Sequence, residues 1–191
     1  MKFTPQAIPE VILIAPKVHG DTRGYFVETF RLDKFEEAIG YQVNFIQDNE
    51  SKSSKGVLRG LHFQRPPFAQ SKMVTVIEGE VLDVAVDIRQ GSLTYGKAVT
   101  VVLNEQNKHQ LFVPRGFAHG FVVLSESATF TYKVDNYYSP EYEKGVAYND
   151  PKLNIDWRLP IESLRLSEKD RKYKSLVESG LCFEYGVNYY A

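Results

Sequence analysis

The chain has 191 residues, 23 of them basic and 24 acidic, for a net charge of −1. That balance excludes capture of nucleic acid or an anionic membrane by charge alone, and no apolar run approaches the length of a membrane span. The start, MKFTPQAIPE, lacks the apolar stretch of a signal peptide, and the single cysteine, Cys182, leaves no internal disulfide; both fit a reducing cytoplasm.

The length suits one domain over residues 1–191 with a sizeable core. Short β-type runs recur along it: VILIA (11–15), YFVETF (25–30), VNFIQDN (43–49), VLRGLHF (57–63), KMVTVI (72–77), EVLDVAVDI (80–88), KAVTVVL (97–103), HQLFV (109–113), HGFVVL (119–124) and ATFTYKV (128–134). Turn residues such as Lys55-Gly56, Glu78-Gly79 and Gln90-Gly91-Ser92 separate them. This spacing, without alternating long helices, predicts an all-β sandwich or barrel. RLDKFEEAIG (31–40) reads as a short peripheral helix stopped by Gly40. Ser167 with Asp170 three residues on is a capping-box-like start for a C-terminal helix running to about Gly180.

Residues two apart on a strand share a face. In LRGLHFQ this puts His62 with Leu58, Gly60 and Gln64, and sends Arg59 to the other face unless the strand bends at Gly60. Lys72 shares a face with Val74 and Val76, and Tyr132 with Phe130 and Val134. The apolar companions mark these faces as interior, so His62, Lys72 and Tyr132, with His119 from the turn motif described next, are expected in one lumen. An ammonium, two imidazoles and a phenol in an apolar barrel are costly unless partnered or used. His62 suits a general base, Lys72 a cation for a negative oxygen, and Tyr132, with an ordinary pKa of about 10, an acid. Each has a plainer reading: a satisfied core histidine, a lysine at the barrel rim, a core tyrosine bonded to backbone. Asp170 is accounted for by helix capping alone, with a partner for His62 as the other reading. Asp83, across its strand from Leu82, Val84 and Val86, is either solvent-facing or a partner of His119.

The segment VPRGFAHGFV (113–122) sets Pro114, Gly116 and His119 at P-x-G-x-x-H spacing between apolar runs, a tight turn that delivers an imidazole to a strand. It resembles the second motif of the cupin barrels. In the matching first motif Gly56, His62 and Gly79 are present, but Gln64 stands for the second histidine and Lys72 for the glutamate. A metal cupin needs imidazoles and a carboxylate around its cation. An ammonium in the carboxylate's place opposes a metal, so none is expected.

Across nearly its whole length the chain resembles the sugar-nucleotide epimerases of the RmlC type, the dTDP-4-dehydrorhamnose 3,5-epimerases. The resemblance rests on DTRGYFVETF (21–30), FIQDNES (45–51), GVLRGLHFQ (56–64), SKMVTVIEGEVLDVAVDIR (71–89), FVPRGFAHGFVVL (112–124), TYKVDNYYSPEYEKGVAYNDP (131–151), IDW (155–157) and LSEKD (166–170). It implies a cupin-type jelly-roll barrel and a reaction on dTDP-4-keto-6-deoxyglucose without a cofactor. It further implies His62 as the base oriented by Asp170, Tyr132 as the acid, and Lys72 as the cation at the enolate oxygen. Arg23, Phe26, Glu28, Gln47, Asp48, Asn49, Arg59, His119, Glu143 and Lys169 match contacts to the nucleotide sugar, and Tyr138 the aromatic that stacks on thymine. The Arg23–Glu28 segment is implied to come from a neighbouring subunit of a homodimer, which would give Arg59 a place outside the lumen. Other readings of the same pattern are a mono-epimerase, a 3,4-ketoisomerase, a non-catalytic sugar-nucleotide-binding cupin and a metal-dependent oxygenase.

Overall fold

Strands that alternate apolar residues need a cover for the apolar face. In the computed structural model, which describes residues 1–180 and 182–190, two antiparallel sheets supply it for each other. The strands are β1 (Lys2–Pro5), β2 (Ile12–Ala15), β3 (Val18–Asp21), β4 (Gly24–Val27), β5 (Gln47–Ser54), β6 (Leu58–Gln64), β7 (Lys72–Glu78), β8 (Glu80–Asp87), β9 (Arg89–Gln90), β10 (Ala98–Asn104), β11 (Gln110–Val113), β12 (Phe117–Val123), β13 (Ser127–Val134), β14 (Glu143–Gly145) and β15 (Phe183–Glu184). One sheet runs β1-β2-β11-β7-β13-β5 and the other β10-β8-β12-β6-β14. The pairs β3–β4 and β9–β15 stand apart as small sheets.

Between the sheets lie Val74, Val76, Leu111, Val113 and Phe130 from one side and Val81, Ala85, Phe121 and Val123 from the other. Each fully buried side chain of this kind contributes about 1.5–3 kcal/mol. The outer face of the five-stranded sheet is covered too. Leu58, Leu61, Leu82, Val84 and Val122 pack there under Val146, Trp157, Leu164 and Phe183 of the C-terminal segment. Trp157 donates its indole N–H to the Tyr148 carbonyl at 3.0 Å. Because both faces of β8 are covered, six consecutive residues from Leu82 to Asp87 are buried, Asp83 among them. Asp83 therefore does not face solvent.

Helix α1 (Leu32–Ile39) forms where expected and lays Phe35 on the outer face of the six-stranded sheet, against Ile12, Ile14, Met73 and Phe112. It ends at Gly40, left-handed at φ 81°, whose N–H reaches the Glu36 carbonyl at 2.8 Å. The expected C-terminal helix is cut short: α2 spans only Glu168–Arg171. Ser167 caps it as anticipated, accepting from the Asp170 N–H at 3.1 Å. The chain then leaves helical geometry because tertiary partners claim it. Lys174 O accepts from Ala147 N–H, and Asp150 accepts from Leu176 N–H.

Two expected strands also move. The run from Tyr25 to Phe30 is β-structure only to Val27. The strand placed at 43–49 instead covers Gln47–Ser54, a polar run, while Val43 packs beneath α1. Apolar content misleads here because one face of β5 lines a polar lumen. No helix among the described residues is long and apolar enough to cross a membrane.

Candidate active site

Strands β6, β7, β12 and β13 bring His62, Lys72, His119 and Tyr132 to one cavity of about 220 Å³, shared with Arg59, Glu50, Ser51, Phe121 and Phe130. The lumen expected from alternation is thus present, with one correction. Strand β6 carries an irregularity opposite His119–Phe121, pairing His119 with His62 but Phe121 with Arg59. The extra residue flips the alternation. Leu58 turns outward into the outer core, and Arg59, expected on the far face or outside the lumen, lines the cavity beside His62. The bend lies at Gly60, as its position allowed.

The His62 imidazole meets the Asp170 carboxylate through Nε2 at 2.6 Å. Facing a carboxylate, Nε2 carries a proton, and Nδ1 is the nitrogen left out of that contact. Asp170 is 4 % exposed. Burial works to raise its pKa, but the hydrogen bond and charge of His62 outweigh it and hold the carboxyl below its ordinary value. The cap and the His62 contact thus coexist in one residue. Tyr173 packs its ring edge-on to His62 at 5.7 Å and sits over Gly145, where any Cβ would run into the ring.

His119 forms a second dyad, its Nε2 3.0 and 2.9 Å from the two oxygens of Asp83. Burial lowers the His119 pKa despite Asp83, so this imidazole is neutral at pH 7. Burial also brings the Lys72 ammonium down to about 8, opposed by the charges of Asp83 and Glu143. Tyr132 moves the other way: burial raises its pKa, and its phenol keeps its proton at neutral pH. His62 and His119 project from the five-stranded sheet, Lys72 and Tyr132 from the six-stranded one. The His62 imidazole and the Tyr132 phenol thus line the cavity from strands of opposite sheets.

Glu143 and Lys169 do not line this cavity but a neighbouring one with Tyr173; there Glu143 accepts from Lys169 Nζ at 2.8 and 2.9 Å and from the Tyr138 hydroxyl at 2.7 Å. Burial tends to raise the Glu143 pKa, and these bonds leave it below the ordinary value all the same. The same bond pushes the Tyr138 phenol up to about 12. The Tyr138 ring is half exposed. Arg59 donates to Ser53 Oγ at 3.1 Å, and Gln47 to Asn49 Oδ1 at 2.8 Å along the inner edge of β5.

Asp48 does not join this group. It alternates to the outer face of β5 and pairs with Lys133 at 2.9 Å. Arg23, Phe26 and Glu28 also stay outside the cavity. The first two lie on the exposed β3–β4 hairpin and Glu28 just beyond it, with Arg23 bound to Asp21 and Phe26 70 % exposed.

A family model described as dTDP-4-dehydrorhamnose 3,5-epimerase matches residues 5–178. The dTDP-4-dehydrorhamnose 3,5-epimerase of Shigella flexneri is 52 % identical over 179 residues, covering 94 % of this chain and 98 % of that protein. The Pseudomonas aeruginosa enzyme of the same name is 52 % identical over 183 residues, covering 96 % and 99 %. The crystal structure of the dTDP-6-deoxy-D-glucose-3,5-epimerase RmlC of Legionella pneumophila, in complex with dTDP-4-keto-L-rhamnose, superposes with a TM-score of 0.93. It is 48 % identical, covering 97 % of this chain and 99 % of that one. The chain belongs to the dTDP-4-dehydrorhamnose 3,5-epimerase family. Its two sheets are accordingly the cupin-type jelly roll of that family.

Against this family background, three residues not expected among the site residues support it. Gln64, read as the replacement for a metal-ligating histidine, donates to the carbonyls of Phe68 and Tyr137 and accepts from Ser139 N–H. It thereby fixes the loop that presents Tyr138. Ser53 anchors Arg59, and Tyr173 buttresses His62. Only Gln64 carried a signal in the sequence, and it pointed to a lost ligand rather than to a loop anchor. Among the described residues, no three His, Cys, Asp or Glu side chains are grouped to hold a metal.

Proposed function

We propose that the protein converts dTDP-4-keto-6-deoxy-D-glucose into dTDP-4-keto-L-rhamnose by inverting carbons 3 and 5 without a cofactor, on the route to dTDP-L-rhamnose. One observation carries this reading: His62 and Tyr132 line one cavity from opposite sheets, together with Lys72. The C4 ketone acidifies the hydrogens on both neighbouring carbons. His62 Nδ1 removes one such proton. The C–H electron pair becomes a ring double bond, and the carbonyl pair moves onto oxygen. Lys72 stabilises that oxyanion, the kind of pre-placed charge that supplies a large share of catalysis. As the carbonyl re-forms, Tyr132 gives its proton to the same carbon from the other face, and the configuration inverts. Water then restores the phenol and takes the proton from the imidazolium.

In this reading Arg59, His119, Gln47, Asn49, Glu143 and Lys169 hold the sugar diphosphate, and Tyr138 stacks on the base. The exposed hairpin of Arg23 and Phe26, with Glu28 beside it, supports a homodimer in which this segment completes the neighbouring subunit's site. The deciding experiment is turnover of dTDP-4-keto-6-deoxyglucose in deuterated water, followed by NMR. Deuterium at both C3 and C5 supports the proposal. Label at one carbon makes the protein a mono-epimerase, a carbonyl moved to C3 a ketoisomerase, and no exchange at all removes the enzymatic reading.

A further inference from the structure

Lys72 is the first residue of β7, and it is paired on both sides, with Val113 of β11 and Val134 of β13. One step beyond this rung, the three chains are tied together by side chains. Ser71 N–H donates to Asp135 Oδ1 at 2.6 Å. Arg115 Nε donates to Asp135 Oδ2 at 3.1 Å. At the centre lies the hydroxyl of Tyr190, 2.7 Å from Ser71 Oγ and 3.2 Å from the Arg115 N–H that donates to it. The Arg115 guanidinium stacks on the Tyr190 ring at 4.9 Å and also donates to the Tyr189 carbonyl. Tyr41, just past α1, holds the same hydroxyl from outside at 3.3 Å.

None of these residues lines the catalytic cavity. Ser71 is fully buried and the Asp135 carboxylate nearly so. A buried polar cluster of this kind is rigid when every member is satisfied. Its three strand-end members, Arg115, Ser71 and Asp135, stand one or two residues from the three residues of the Lys72 rung. A tyrosine from the C-terminal segment closes it. A long lysine side chain amplifies any shift of its Cα, and displacement of about 1 Å at a reacting centre costs about a hundredfold.

We propose that Tyr190 is a positioning residue for Lys72: through Ser71 and Arg115 its hydroxyl fixes the three-strand rung on which the lysine stands. The C-terminal segment is then part of the catalytic apparatus without touching substrate. This rests on the role proposed above for Lys72, and the test keeps the two apart.

The test compares wild type with Tyr190→Phe, which keeps the ring and removes the hydroxyl, and with Ser71→Ala, which deletes the same bond from the other side. Two quantities are read: kcat and KM on dTDP-4-keto-6-deoxyglucose, and the titration midpoint of Lys72 by NMR of its ε-methylene, assigned by its loss in Lys72→Met. The expected result is a fall in kcat of about ten- to a hundredfold with KM unchanged. The Lys72 midpoint moves to higher pH as water reaches the loosened rung, and the melting temperature stays near that of wild type. A folded variant with wild-type kcat, or with an unmoved Lys72 midpoint, overturns the proposal. If Tyr190→Phe does not fold, Ser71→Ala is judged by the same criteria. If wild type turns nothing over, the functional reading fails, while the Lys72 midpoint still decides the positioning.

Discussion

Arg59 and His62 look into the same cavity although three positions separate them on one strand. Regular alternation sends such a pair to opposite faces. The irregularity in β6 resolves the conflict, and Gly60 makes it possible. Its φ of 134° suits only glycine, and a Cβ there would stand 2.5 Å from Gly120 Cα and 2.9 Å from the His119 carbonyl. The bulge therefore sets the Arg59 cation beside His62 and brings β6 against β12.

Gly60→Ala has backbone on every side of the new methyl, so nothing cheap can move. The variant should lose at least about 2 kcal/mol, which for a chain of this size lowers the melting temperature by about 4–8 °C. Circular dichroism melts check this. An unchanged melt would mean that β6 accommodates the side chain in some other register.

Asp170→Asn keeps the shape of the Ser167 cap and removes the charge facing His62 Nε2. The imidazole then loses the partner that fixes its tautomer. Turnover should fall about a hundred- to ten-thousandfold with little change in KM, measured by steady-state kinetics. A loss below about threefold would assign Asp170 to capping alone.

Lys72 gives a pH signature. Burial brings its pKa to about 8, so it is charged below that pH and neutral above it. On the acid side the oxyanion has its counter-charge; on the alkaline side it does not. The profile of kcat/KM should therefore descend as pH rises past about 8. Lys72→Met should lower kcat about a hundred- to a thousandfold and abolish that limb.

Tyr132→Phe separates removal of a proton from its return. With His62 intact, solvent deuterium should still enter the substrate. Inverted product should fall well below the rate of exchange, as seen by NMR of the sugar ring. Equal losses of both would place Tyr132 in binding rather than in proton donation.

The strands of the core were legible as short apolar runs set between turn residues: β13 alternates with period two, whereas β8 and β12, covered on both faces, read as near-continuous apolar stretches. Strand β5 was displaced because its inner residues, Gln47, Asn49, Ser51 and Ser53, are polar in a polar lumen. The C-terminal helix was overextended because nothing local in residues 172–180 announces that Ala147 and Asp150 will claim their backbone. His62, Lys72 and Tyr132 could be gathered from alternation, and His119 from its turn motif. Arg59 could not, since a bulge is invisible to a pattern count. Tyr173 and Ser53 act only through contacts between distant segments, which a linear reading does not contain.

Trp157 is the sole tryptophan of the chain and is 5 % exposed, held in the outer layer beneath which β6 and β8 lie. Its emission thus comes from one spot, on the side of the five-stranded sheet turned away from the sugar chamber. Excitation at the indole band tracks loss of that layer in a denaturant titration, with no dye or label. Saturating the chamber with dTDP should leave the emission maximum where it was.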